Sequence, residues 1–281
     1  MKKKLLLACA ACVVFFSSML TVKNNNTADT ISNNNNGIAV TSGTDNSLEV
    51  NYWIDSLYQS MNLNAKGLSR SVFFSACKGY EYLLSQNKLL KQGLLTICDY
   101  SQSSSKKRLF VLDLIQRKIL FNTYVAHGKN SGNDYATSFS NSDDSHKSSL
   151  GFMITAETYN GDNGYSMRLD GMENGFNDNV RTRSIVMHGS DYVNAERALN
   201  GTMMGRSFGC PAVPSSEVKN IINCIKEGSC FFNYYPDKYY TQASKIINAN
   251  FVWPVAQSIQ LAAVKIPDTL ARLSLPAMNA N

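Results

Sequence analysis

The chain has 281 residues, 44% of them hydrophobic and 17% charged, which is enough for one large domain or two small ones with a real core. Its formal charge is +6, but Lys2, Lys3 and Lys4 hold half of that at one end. What remains is too weak to point to nucleic acid as a partner.

Residues 1–22 combine that lysine cluster with an unbroken apolar run from Leu5 to Phe16 and then small polar residues, the build of a secretory signal peptide. Export to the periplasm or cell envelope is therefore expected. The run is short for a bilayer span, so membrane attachment is expected only if the leader stays uncleaved as an anchor. An apolar run of only four residues precedes Cys9, and lipidation at Cys9 or Cys12 is not expected. Residues 23–48 are almost all Asn, Thr, Ser, Asp and Gly, including NNN at 24–26 and NNNN at 33–36, and read as a flexible tether.

A helical segment is expected over 49–92. In NYWIDSLYQSM (51–61) and SRSVFFSACKGYEYLL (69–84) apolar residues recur at helical spacing, with Ser69 or Ser71 as cap of the second. A main domain over 93–240 then changes period. Runs at 94–100, 108–114, 118–127, 151–159, 165–171 and 183–189 are short, rich in β-branched and aromatic residues, and separated by Gly, Asn, Asp and Ser, so strands dominate. PSSEVKNIINCIKEG (214–228) returns to helix, with Ser215 as cap, Glu217 in the first turn, one face of Val218, Ile221, Ile222 and Ile225, and Gly228 as stop. Residues 241–281, with Pro254, Pro267 and Pro276, read as a wrapping extension.

Outside the leader the cysteines are Cys77, Cys98, Cys210, Cys224 and Cys230, an odd number in an oxidising compartment, so one thiol is expected to be free. Cys210 is the candidate. Pairs Cys77–Cys98 and Cys224–Cys230 are one reading of the other four, and small buried thiols are the other.

A thiol becomes a useful nucleophile when a neighbouring base makes it a thiolate, and histidine is the usual base. His188 closes the apolar run IVMH and is followed by Gly189 and Ser190, so it projects from a rigid element. His127 ends YVAHG, and His146 lies in the polar stretch SNSDDSHKSS. Gly209, beside Cys210, suits a sharp turn that presents backbone N–H groups to an oxyanion. The aspartates of SNSDD lack the spacing of a calcium loop, and neither metal nor cofactor is expected.

Together, HGS (188–190) and GRSFGCPAV (205–213) resemble the L,D-transpeptidase catalytic domain, whose motif is a His-Gly turn followed by a Ser-x-Gly-Cys turn. VAHGKNSG (125–132), SFSN (138–141), SHKSSLGF (145–152), ETYNG (157–161) and RLDG (168–171) extend the likeness to the murein L,D-transpeptidase catalytic domain proteins, over about residues 94–235. The resemblance implies a mainly β (α+β) fold, a β-sandwich catalytic domain with a helix after the cysteine. It also implies acyl transfer on peptidoglycan stem peptides through a thioester on Cys210. His188 would be the base, oriented by the Gly189 carbonyl. The backbone N–H groups of Phe208, Gly209 and Cys210 would form the oxyanion hole.

The chain departs from the family pattern at Phe208, where a second histidine is usual, and at Ala212, where Arg or Asn is usual. Arg206 is the expected replacement cation for a substrate carboxylate, with Arg181 and Arg183 behind it, and Ser207 is expected to hydrogen-bond within the turn on the substrate side. Donor and acceptor stem peptides are the expected partners. Two alternatives remain at this stage: a carboxypeptidase or amidase using the same cysteine, and a catalytically inactive wall-binding envelope protein.

Overall fold

The computed structural model describes residues 48–204 and 206–254. The expected leader, the tether except Leu48, and the extension beyond residue 254 lie outside the described residues.

Two helices lead in, α1 (Leu48–Ser60) and α2 (Arg70–Ser85). Ser69 caps α2 as its sequence predicts, its hydroxyl accepting from the Val72 N–H at 3.3 Å. Eight strands follow: β1 (Leu94–Asp99), β2 (Leu109–Asp113), β3 (Lys118–Thr123), β4 (Gly151–Gly161), β5 (Gly164–Gly171), β6 (Val186–Ser190), β7 (Ala212–Pro214) and β8 (Cys230–Tyr234). Helices α3 (Ala195–Leu199), α4 (Val218–Ile225) and α5 (Lys238–Ala243) complete the order. The strands form one mixed sheet in the order β3-β2-β1-β8-β4-β5-β6-β7. The β1–β8 and β6–β7 pairs are parallel and the others antiparallel. The fold is mainly β with flanking helices, as the sequence predicts.

The central strands read as continuous apolar runs because both of their faces are covered. Alternate residues go to opposite cores: Phe110, Leu112, Phe152, Cys230 and Phe232 face the core built by α1, α2 and the segment to Trp253, whereas Leu109, Val111, Met153 and Phe231 face the core under α4. Phe152 and Phe232 stack at 4.0 Å in the first core. Truncating a ring in such a setting costs about 3–5 kcal/mol, so this pair helps fix the β4–β8 junction. Trp253 is fully buried and stacks on Phe251 at 5.6 Å, so the chain beyond α5 returns to the helical face.

Several expectations are corrected. β3 stops at Thr123, so His127 lies in the irregular segment after it, and residues 183–185 precede β6 rather than belonging to it. Ser215 does not cap α4: residues 215–217 form a turn, and Glu217 occupies the cap position without a capping side-chain hydrogen bond, its carboxylate accepting from the Thr123 hydroxyl instead. The predicted face of α4 is correct, with Val218, Ile221, Ile222 and Ile225 all buried. All five cysteines among the described residues are free thiols. The proposed pairs fail because the sheet separates them: Cys77 and Cys230 lie in one core, while Cys98 and Cys224 pack with the other.

Candidate active site

β6 and β7 bring the two halves of the motif together. They pair in parallel with His188 opposite Ala212, which sets Cys210 at the level of Val186. A parallel pair needs a long crossover, and residues 191–211, including α3, supply it. The 22-residue separation from His188 to Cys210 is thus the length of a strand-to-strand return.

His188 and Cys210 line one cleft of about 490 Å³ with Arg183, Ser184, Ile185, Tyr192 and Phe208. The cysteine Sγ lies 3.4 Å from the Val186 N–H, which donates to it, and 3.7 Å from the Ser184 carbonyl, which accepts from it. Burial pushes the Cys210 thiol up, partly offset by the Val186 N–H and the positive charge of Arg183. His188 Nδ1 lies 2.9 Å from the Gly189 carbonyl. That oxygen can only accept, so Nδ1 carries the proton and Nε2 keeps its lone pair. Burial lowers the His188 pKa, with the Gly189 carbonyl working against it, so the resting imidazole is neutral. The resting pair is a neutral thiol and a neutral base.

The turn that carries the cysteine is stitched from several sides. The Ser207 hydroxyl donates to the Cys210 carbonyl at 2.6 Å and accepts from the Gly209 N–H at 3.1 Å. The Ser207 backbone bonds to the His127 carbonyl and the Lys129 N–H. Ser148 links the Gly128 N–H to the Gly209 carbonyl, both at 3.1 Å. Gly209 has φ +122°, and a Cβ there would lie 2.7 Å from the Lys147 carbonyl oxygen, so both conformation and space demand glycine.

These bonds revise three expected roles. The Gly209 N–H is occupied by Ser207, which leaves the Phe208 and Cys210 amides without a partner among the described residues. The Ser207 hydroxyl is spent inside the turn rather than on the substrate side. Arg206 Nη1 bonds to the Lys129 and Gly132 carbonyls and to Asn133 Oδ1, so it fastens the neighbouring loop, although it also borders the cleft. Phe208, at 63% exposure, stands at the rim between the His146 ring, 4.4 Å away, and Lys129 Nζ, 4.2 Å from its centroid.

His127 is buried, with Nδ1 2.7 Å from Arg108 Nη2, so it supports the loop instead of facing the cleft. Arg181 is spent on Glu157 and Asp170 at the surface. The roles of Ser148 and Arg183 are not legible in the sequence, since each depends on partners far along the chain. Among the described residues no group of three His, Cys, Asp or Glu side chains converges as a metal site.

A parallel strand pair thus seats a histidine and a cysteine on one cleft at the end of a mixed sheet. The family model described as the L,D-transpeptidase catalytic domain matches residues 64–234, and the chain belongs to that family. No curated protein matches it by sequence. Similar solved structures include the L,D-transpeptidase from Mycobacterium smegmatis, 9% identical over 51% of this chain and 59% of that chain, TM-score 0.32. The L,D-transpeptidase (Yku) from Stackebrandtia nassauensis is 15% identical over 66% of this chain and 77% of its own, TM-score 0.32. The helical cell shape determining protein Pgp2 from Campylobacter jejuni is 17% identical over 58% and 57%, TM-score 0.31. The chain thus spans little more than half the length of the first and third of these.

Proposed function

We propose that the protein is an exported L,D-transpeptidase that transfers an acyl group between peptidoglycan stem peptides through a thioester on Cys210. The carrying observation is the convergence of Cys210 and His188 on one cleft, with His188 Nδ1 fixed by the Gly189 carbonyl and Nε2 left as a base. The thiol proton passes to His188 Nε2, and the thiolate attacks the carbonyl of the third residue of a donor tetrapeptide. The tetrahedral oxyanion accepts from the Phe208 and Cys210 amides. Collapse breaks the peptide bond, and the departing terminal D-alanine takes the proton from His188. An amine of a second stem peptide then attacks the thioester, gives its proton to His188 and releases Cys210 with a 3–3 cross-link formed. No redox or metal step is needed to balance this sequence.

The test is intact-protein mass spectrometry after incubation with a carbapenem and with tetrapeptide-bearing muropeptides, comparing wild type with Cys210→Ala. An adduct confined to wild type, with D-alanine released and a dimer formed, is the expected result. D-alanine without dimer would make water the acceptor and the protein a carboxypeptidase. Neither adduct nor turnover would leave a wall-binding protein.

A further inference from the structure

The cation beside the thiol has an unusual set of partners. Arg183 Nη1 donates to the Ser140 carbonyl at 2.8 Å and to Ser149 Oγ at 2.7 Å, and Nη2 donates to Ser145 Oγ at 3.0 Å and to the Lys147 carbonyl at 2.8 Å. All four acceptors are neutral. Its Nε is buried with no hydrogen-bond partner. Arg181, two residues earlier, shows the contrast, because Glu157 and Asp170 neutralise it directly. A half-buried guanidinium hydrogen-bonded only to neutral oxygens, with Asp143 acting on it through space, keeps a charge able to stabilise an anion that forms beside it.

Arg183 and Cys210 line the same cleft. Ser184 has φ +53°, a left-handed turn that separates Arg183 from β6, and its carbonyl meets Cys210 Sγ. Arg183 borders the cleft and directly precedes the residue whose carbonyl meets Sγ. The segment that pins the guanidinium also backs the nucleophile turn, since the Lys147 carbonyl sits against Gly209. The other cations nearby are committed elsewhere: Arg206 to the 129–133 loop, Lys129 to the Phe208 ring and Lys147 Nζ to Ser138 Oγ.

We propose that Arg183 is the counter-cation of the Cys210 thiolate, a positioning residue held by segment 140–149 that lowers the cost of removing the thiol proton. The inference rests on the reading of Cys210 as nucleophile. His188 receives the proton, and Arg183 stays protonated and balances the negative sulfur left behind. The other ionisable groups around this pair are His188, Tyr192 and Tyr100 near the sulfur, Asp162 on the cleft wall and Asp143 near the guanidinium. Burial raises both tyrosines, so neither competes as an anion near neutrality.

The experiment measures the pH dependence of Cys210 alkylation by iodoacetamide, an uncharged probe, in the full chain, with peptide-resolved mass spectrometry to isolate this cysteine. Arg183→Met is expected to raise the alkylation midpoint by about one pH unit and to slow reaction about tenfold below it, whereas Arg183→Lys stays near the wild-type midpoint. A folded Arg183→Met with the wild-type midpoint would overturn the proposal, and so would an equal rise in Arg183→Lys. If circular dichroism shows Arg183→Met unfolded, Arg183→Lys decides alone: an unchanged midpoint supports the charge role and a full-unit rise rejects it. The carbapenem experiment is independent, so failure of acyl transfer with a shifted midpoint would sink the proposed function and leave this assignment standing.

Discussion

His188 and His127 are both buried histidines in the short runs that precede glycine, and burial lowers the pKa of both. They differ in what their ring nitrogens touch. His188 spends Nδ1 on its neighbour's carbonyl and turns the rest of the ring to the cleft. His127 spends Nδ1 as an acceptor from Arg108 Nη2 and points Nε2 to the Gly132 carbonyl at 3.4 Å. A shifted pKa alone therefore does not mark a catalytic histidine. A nitrogen left with an open path to substrate does.

Substitution should separate the two residues most sharply in catalysis. His188→Gln is expected to lower the acyl-transfer rate about 10²–10⁴-fold, the usual worth of a positioned base, with thermal stability close to wild type. Carbapenem acylation followed by mass spectrometry, beside a melting curve, checks both halves. The mirror variant, His127→Leu, should leave the alkylation chemistry of Cys210 largely intact and act on the fold.

pH gives the next largest contrast. Burial, helped by Arg108, lowers His127 to about 4, while an unfolded histidine titrates near 6.5. The unfolded chain thus binds the proton first as pH falls, and stability must drop between about 6.5 and 4. The drop attributable to His127 is about 3 kcal/mol, from the 1.4 kcal/mol that each unit represents. Urea denaturation from pH 7.5 to 4.5 should show this slope in wild type and a flatter one in His127→Leu. At neutral pH the same variant should cost about 1–3 kcal/mol, because a buried guanidinium loses an acceptor.

The sequence carried much of this architecture because its signals are local. Ser69 caps α2, the face of α4 is read from spacing, and six of the strands show as short β-branched runs. β8 was missed although CFFNYY is apolar enough for a central strand; its pairing with β1 and β4 joins segments more than 70 residues apart, which no local pattern encodes. β7 is only three residues long and ends in proline. In the site, Cys210, His188 and Gly189 were legible as a motif. The occupation of the Gly209 N–H by Ser207 and the anchoring of Arg206 depend on side-chain directions, and the neutral partners of Arg183 come from a segment some 40 residues away.

The smallest expected effect concerns the third histidine, which belongs to neither class. His146 stacks on Phe208, and Lys129 sits over the same ring, so the two side chains brace the ring that stands at the rim of the cleft. Phe208 contributes its backbone N–H to the proposed oxyanion site, and that group survives any side-chain change. Phe208→Ala should therefore keep the Cys210 alkylation rate and the carbapenem acylation rate within about twofold. It should cost only about 0.5–1.5 kcal/mol of stability, the scale of an exposed stacking and cation–π contact. If the rim also guides the donor peptide, its loss will raise KM for muropeptide while kcat holds, because an interaction made equally in ground and transition states changes binding alone. A fall in kcat with KM unchanged would mean instead that the ring sets the path of the backbone carrying the oxyanion donor. The rim would then belong with His188 rather than with His127.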